Sequence, residues 1–361
     1  MNYKLRSSVS IVDSGGNVLE FFKTNTRKSI KIHVKSPMIK NIVTHLDGNL
    51  SFNEIVQCYN LQGEEQQLAI LLSYLKEKSI ISNDALVKDR EDYFKYRRII
   101  HFLEDYAHSD ELLLEMWKNI RKSTVMIIGL GAVGNWVALN LAQSGVSNFI
   151  LMDKDIVDIT NLHRQIAFTA ADIGKSKSTV IARYINHFDP SIHVLEIKQD
   201  LTENNLCAVV GEKNVDLIIN CADKPNVDIT SRWVGKYCMK RRIPHIVGGG
   251  YNLHLSLIGQ TVIPFESACV NCFEEQLKEK NSLDGLTVKR LDTKNRKIGS
   301  FGPMCSIIAS MIGMEAIKVL SSHIPPDNVN RRGEFDINTM NLKYQEFNRL
   351  STCEWCGYEK N

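Results

Sequence analysis

The chain has 361 residues, 43% of them hydrophobic and 24% charged, which is enough apolar content for a sizeable core and too much for a disordered chain. Forty-four basic against 41 acidic side chains leave a formal net charge of +3, too near neutral to predict a nucleic-acid or membrane-surface partner. The opening MNYKLRSSVSIVD is too polar for a signal peptide and no apolar run reads as long enough for a bilayer, so the expected location is the cytoplasm, where nine cysteines stay reduced and closely spaced pairs point to metal.

Residues 1 to 88 form the first expected domain. KLRSSVSIVD, VLEFFK and SIKIHV read as short strands, the first two joined by the turn SGGN. Three helical segments follow, PMIKNIVTHLDG, SFNEIVQCYN and EEQQLAILLSYLKEKSII. Ser51 and Glu54 have capping-box spacing, and Gly48 stands where a helix would stop. Strands plus three helices in so short a span predict a small winged-helix-like module. Glu64, Glu65 and Glu77 offset Lys76 and Lys78 on its third helix, a poor surface for phosphate.

Residues 89 to 361 form the second expected domain. A charged linker with helices leads to TVMIIGL. Strand and helix then alternate: NFILMD, KSKSTVIARYINHF, HVLEIKQ, VDLIINCA, ITSRWVGKYCMKRR and PHIVGGG. Alternation of this kind predicts an α/β fold with a Rossmann-like, doubly wound, mostly parallel sheet. HLSLIGQTVI and RRGEFDINTMNLKYQEF predict added antiparallel strands.

Between TVMII and NFILMD lies GLGAVG. Gly129, Gly131 and Gly134 fit G-x-G-x-x-G, and Asp153 follows 19 residues after the last of them. Such a turn lets backbone approach a phosphate and presents a helix N-terminus to it, with the aspartate suited to a ribose hydroxyl. On these residues alone the ligand is NAD or another nucleotide. The next stretch, DKDIVDITNLHRQIAFTAADIGKSKS, carries Asp155, Asn161, Arg164, Gln165 and Lys177. A triphosphate, with its greater charge, calls for the arginine and the lysine where a dinucleotide does not. Asp223, after the strand IINCA, is then the natural magnesium ligand. Taken singly, Arg164 or Lys177 is a solvated charge and Asp223 a turn residue; the ordered set is not.

Two C-x-x-C pairs, Cys269–Cys272 and Cys353–Cys356, supply four thiolates for a tetrahedral structural zinc that ties the C-terminal tail to the domain. Cys207, Cys221 and Cys238 stand in apolar or helical contexts expected to be core, and Cys305 near a helix start. His163, His245 and His254 are expected to be packing or hydrogen-bonding histidines.

Together GLGAVG, DKD, TNLHRQ, GKSK, CADK, the cysteine pairs and GPMCSIIASMIGMEAIKVL resemble the ubiquitin-activating-enzyme superfamily in its ThiF/MoeB branch, over roughly residues 92 to 361. The resemblance implies adenylation of a C-terminal carboxylate with MgATP. It implies that Gly129, Gly131 and Gly134 line the nucleotide turn and that Asp153 holds the ribose. Asn161, Arg164, Gln165 and Lys177 would contact phosphates, with Asp155 beside them and Asp223 on magnesium. KYRR is similar to a family segment that reaches the partner subunit's ATP, so the resemblance implies a homodimer with Arg98 acting in trans; Lys95 stands where the family has arginine, and Lys224 where it often has asparagine.

Residues 1–88 resemble the PqqD-like element that binds the leader of a ribosomally made precursor peptide as an added strand. This pairing is similar to the class of enzymes that builds microcin C and pantocin. The stretch EEQLKEKNSLDGLTVKRLDTKNRKIGSFGP holds no cysteine before Cys305, which argues against thioester chemistry. It favours capture of the adenylate within the peptide, by nucleotide attachment, cyclisation or dehydration. Lys278 to Lys297 is expected to be a mobile loop over the substrate. The alternative is a non-catalytic scaffold that delivers the precursor to a partner enzyme.

Overall fold

The computed structural model describes residues 2–13, 15–16, 18–34, 37–82, 91–252, 255–280 and 299–357. The chain forms two compact units, Met1–Lys118 and Asn119–Asn361.

The first unit contains β1 (Asn2–Leu5), β2 (Val9–Asp13), β3 (Val18–Lys23), β4 (Lys28–His33), α1 (Pro37–Thr44), β5 (Asp47–Ser51), α2 (Phe52–Cys58), α3 (Glu65–Glu77) and β6 (Ile81–Ser82). β2, β3 and β4 make an antiparallel sheet in sequence order, and a second small sheet has the order β5-β1-β6. α3 buries Leu68, Leu72 and Leu75, the spacing of one helical face, against Leu19, Phe21, Ile42 and Ile55. Ser51 caps α2 through the expected capping box with Glu54. Gly48 does not end a helix. α1 stops at Thr44, and Gly48 sits inside β5 at φ +90° with Lys4 packed over it.

Two further helices, α4 (Tyr93–Glu104) and the start of α5 (Asp110–Lys122), belong to this unit, so it extends past residue 88. The buried Arg6 guanidinium donates to the Glu104 carbonyl and to the Ala107 carbonyl at 2.8 Å, and Tyr96 packs on Trp117 with ring centroids 5.3 Å apart.

The second unit continues with β7 (Thr124–Ile128), α6 (Ala132–Gln143), β8 (Asn148–Met152), α7 (Lys177–Phe188), β9 (His193–Ile197), α8 (Asn205–Val210), β10 (Leu217–Asn220), α9 (Val227–Arg241), β11 (His245–Val247), β12 (Gly250–Asn252), β13 (Leu255–Ile258), β14 (Thr261–Val262), α10 (Val270–Lys280), α11 (Gly302–Ser321), β15 (Arg331–Asp336) and β16 (Asn341–Glu346). Its main sheet has the order β14-β11-β10-β7-β8-β9, parallel except for the antiparallel edge strand β14. β7, β8 and β10 are almost wholly buried, as a sheet with both faces covered requires. Met126, Ile128, Ile150, Met152 and Ile218 face α8 and α9 through Leu206, Val210, Val234 and Cys238. Chain order leaves β7 toward β8 and β9, then returns to β10 on its other side. The switch point therefore lies between β7 and β10, where open α/β sheets hold their ligands.

The expected antiparallel part is a sheet of order β12-β13-β15-β16. α11 meets the length and apolarity of a membrane span, the one described helix that does, but most of its apolar stretch is buried in this unit. Cys238 and Cys305 are buried as expected and Cys221 half-buried, whereas Cys207 is exposed on short α8. His254 and most of the expected mobile loop, residues 281–297, lie outside the described residues; Lys278–Lys280 end α10.

Candidate nucleotide site and cysteine cluster

The glycine turn leaves β7 at the switch point, and its three glycines do different work. Gly129 has φ +85°, and a Cβ there would lie 2.7 Å from the backbone of Cys221 and Ala222. It therefore lets the turns after β7 and β10 touch. A Cβ on Gly134 would lie 1.9 Å from the Gly129 carbonyl oxygen, so this glycine seats the first turn of α6 on the loop. Gly131, which caps α6, would meet nothing within 4 Å. Its open side lies at a helix N-terminus whose N–H groups have no partner inside the helix, the geometry that receives an anion.

Asp153, at the end of β8, braces this turn. One carboxylate oxygen accepts the Leu130 N–H at 2.6 Å and the other the Asp155 N–H at 2.7 Å. Burial pushes its carboxyl above the ordinary range, against the pull of the Leu130 hydrogen bond and of Lys177. Asp155 sits between two lysines. Lys177, buried at the start of α7, lies 3.1 Å from one carboxylate oxygen, and the exposed Lys224 lies 2.9 and 3.1 Å from the two oxygens. Partial burial works to raise the Asp155 carboxyl, but the hydrogen bonds from Lys224 and Lys177 outweigh it and hold it low. Asp223 is exposed on the loop after β10, beside Lys224. These residues come from the ends of three strands, β7, β8 and β10, and the start of one helix, α7, brought to one edge of the sheet.

The segment 158–168 packs over the start of α6. The Asn161 side-chain oxygen accepts the Asp158 N–H at 2.9 Å, and the Asn135 side-chain oxygen accepts the Ala167 N–H at 3.1 Å. Trp136 donates to the Arg164 carbonyl at 3.2 Å. The Arg164 guanidinium donates to the Thr160 carbonyl and meets His163 Nε2, each at 2.7 Å. Three buried side-chain atoms of this region, Arg164 Nε, Gln165 Oε1 and Asn135 Nδ2, have no hydrogen-bond partner among the described residues. Buried polar groups are normally paired, so these three atoms are available to a bound group. Cys305, near the start of α11, has its thiol pushed up to about 11 by burial, with the Arg164 charge pulling the other way.

The four cysteines meet as expected. Their sulfurs lie within 4.8 Å of one another, with contacts of 3.8 Å (Cys269–Cys272), 3.5 Å (Cys269–Cys353) and 3.3 Å (Cys272–Cys356). Sulfurs on a zinc tetrahedron with bonds of about 2.3 Å stand about 3.8 Å apart, so this donor set fits zinc. Hydrogen bonding within the cluster pushes the Cys269 thiol up and pulls the Cys356 thiol down. Asn271 Nδ2 reaches Cys353 at 3.5 Å and the Leu350 N–H reaches Cys272 at 3.4 Å, outer contacts of the kind that orient metal ligands.

The ThiF family matches residues 104–355. The chain belongs to the ThiF family. It is 29% identical to the Escherichia coli (strain K12) sulfur carrier protein ThiS adenylyltransferase over 268 residues, covering 74% of this chain and 96% of that protein. E. coli MccB corresponds in fold over 99% of this chain and all of its own, with a TM-score of 0.75 at 23% identity. It has also been solved with ATP and with MccA. PaaA corresponds over 95% of this chain and 99% of its own, with a TM-score of 0.73 at 19% identity. Membership makes this ThiF-family chain an adenylyltransferase that binds ATP and carries out ATP-dependent adenylation.

Within this ThiF-family chain, the structure gathers Gly129, Gly131, Gly134, Asp153, Asp155, Lys177 and Asp223 around the switch point. Asn161, Arg164 and Gln165 lie on the segment over α6. Arg98 is exposed on α4 in the first unit. Two further residues belong to this region beyond the site residues expected from the sequence. Asn135 is a fully buried amide inside an apolar helix, and that incongruity was the available signal. Lys224 was noted for its position but not for its partner, because Asp155 stands 69 residues away in sequence.

Proposed function

We propose that this adenylyltransferase activates a carboxylate on a ribosomally made precursor peptide, in the biosynthesis of a peptide antibiotic. One observation carries the reading. The ThiF match begins at residue 104, whereas the fold correspondence with MccB spans 99% of this chain and so includes the N-terminal unit. MccB is a microcin C7 biosynthetic enzyme solved in complex with N-formylated MccA. In our reading, residues 1–88 are a PqqD-like leader-recognition domain and residues 89–361 the adenylating domain with its zinc-bound tail. The β2-β3-β4 sheet has two edges on which an extended leader can pair as an added strand.

The carboxylate oxygen attacks the α-phosphorus of ATP. A carboxylate–phosphorus bond forms, the bridging bond to the β-phosphate breaks, and pyrophosphate leaves with the electron pair. Little covalent work falls to the protein, so catalysis is positioning and charge stabilisation. The Gly131 turn and the α6 N-terminus receive phosphate, Asp153 the ribose, and Lys177 and Arg164 the developing charge, with Asn161 and Gln165 beside them. Asp155 orients Lys177. Magnesium, held by the exposed Asp223, would neutralise phosphate charge. The enzyme acts as a homodimer in the cytoplasm, and Arg98 of one protomer completes its partner's site. The acyl-adenylate is captured inside the peptide, by nucleotide attachment or by cyclisation or dehydration.

The test is the mass of a candidate precursor, taken from a short reading frame beside the gene, after incubation with enzyme and MgATP. Gain of a nucleotide, or loss of water, supports the reading. Adenylation of a free-standing sulfur-carrier protein, with the peptide left untouched, overturns it.

A further inference from the structure

Asp155 accepts two ammonium groups, and they are not equivalent. Lys177 has a side chain only 7% exposed and fixed at the start of α7, whereas the Lys224 side chain is 67% exposed. Lys224 follows directly on Ala222 and Asp223, the loop against which Gly129 packs, so its stem is rooted beside the phosphate turn. Its ammonium donates to both oxygens of the Asp155 carboxylate, and the charges of Asp155, Asp223 and Asp153 all act on it. Those three carboxylates make this edge of the sheet a poor place for a nucleotide triphosphate unless cations offset them. Buried Lys177 is one such cation and Lys224 is the second. A lysine is suited to move between partners, since its ammonium is a compact charge with rotatable donors on a flexible stem.

We propose that Lys224 is a phosphate-binding residue of this chain, parked on Asp155 while the site is free and transferred from Asp155 to the phosphates when ATP binds. An anion at the open side of Gly131 competes with Asp155 for the exposed ammonium, and Lys177 stays behind to keep Asp155 paired. The inference rests on placing the nucleotide at this edge of the sheet, and the test separates the two.

Calorimetric titration of the full-length protein with ATP, and separately with adenosine, is compared for the wild type, Lys224→Met, Asp155→Asn, the double variant and Lys177→Met. Exposure of Lys224 makes its replacement tolerable to the fold, and thermal unfolding checks this for every variant. We expect Lys224→Met to weaken ATP about tenfold with adenosine unaffected, and the double variant to stay at least that much weaker than Asp155→Asn alone. If Lys224 merely neutralises Asp155, removing both charges restores wild-type ATP affinity, and that result overturns the inference. Unchanged ATP affinity in Lys224→Met with weakened affinity in Lys177→Met overturns the inference and leaves the site standing. Unchanged affinity in both overturns the site and the inference together.

Discussion

Replacing Gly131 and Gly134 separately by alanine gives opposite signatures, although both belong to one motif. At Gly134 the new methyl carbon falls 1.9 Å from the Gly129 carbonyl oxygen and 3.0 Å from its carbon. Both are backbone atoms, and Gly129 cannot retreat, because its own open face already abuts the backbone of Cys221 and Ala222. Relief requires α6 to lift by more than an ångström from a core that includes Val137 and Leu141, both fully buried. Overpacking of this kind costs about 1–3 kcal/mol, and a clash against backbone on both sides belongs at or above the top of that range. For a unit of this size, about 3 kcal/mol lowers Tm by roughly 6–12 °C. Gly131→Ala meets no atom within 4 Å and has an ordinary negative φ of −69°, so stability stays within about 0.5 kcal/mol of wild type. Its methyl group instead occupies the space in which phosphate approaches backbone, and ATP affinity falls roughly tenfold to a hundredfold. Thermal unfolding and ATP titration of the two variants decide the matter. The reasoning is refuted if Gly131→Ala destabilises as Gly134→Ala does, or if Gly131→Ala unfolds normally and binds ATP normally.

Three further expectations concern metal, protons and assembly. Metal analysis should find one zinc per chain, and Cys272→Ser should lower both zinc content and Tm; full zinc retention in that variant would remove Cys272 from the ligand set. His245 is buried in β11 with its Nε2 unpartnered among the described residues, and burial lowers its pKa to about 4 from an ordinary 6.5. The unfolded chain therefore takes up a proton between pH 6.5 and 4 that the folded chain refuses, so stability falls as pH drops through that window, by about 2 kcal/mol at pH 5 relative to pH 7.5. Urea unfolding at the two pH values should show this slope for the wild type and lose it in His245→Gln. Arg98→Ala and Lys177→Met, each inactive alone, should recover activity when co-expressed if Arg98 acts in its partner's site; no recovery in a mixed dimer would place Arg98 in cis or outside the site.

The parallel sheet was legible because both of its faces are covered, which turns its strands into apolar runs such as TVMII and LIIN. The capping box of α2 was legible because every atom it uses lies within four residues. The β5-β1-β6 sheet was not, since its pairings join residues as far apart as Leu5 and Ile81 and its strands are short. The helices of the charged segment before β7 were legible, but the buried face that Tyr93, Tyr96, Ile100 and Leu103 form on α4 was obscured by the surrounding charge. At the site, glycine and cysteine spacing carried the turn and the metal cluster, because backbone approach and tetrahedral coordination impose fixed local spacings. The pairing of Lys224 with Asp155 follows only from the strand order, which sets the turns after β8 and β10 on either side of the glycine turn.

Peptide-dependent exchange of labelled pyrophosphate into ATP tests the central claim most directly. Exchange should appear when the cognate precursor is added, and it should vanish with Asp223→Ala, which is exposed and leaves Tm unchanged. Absence of exchange with a precursor that the protein binds tightly would contradict the claim.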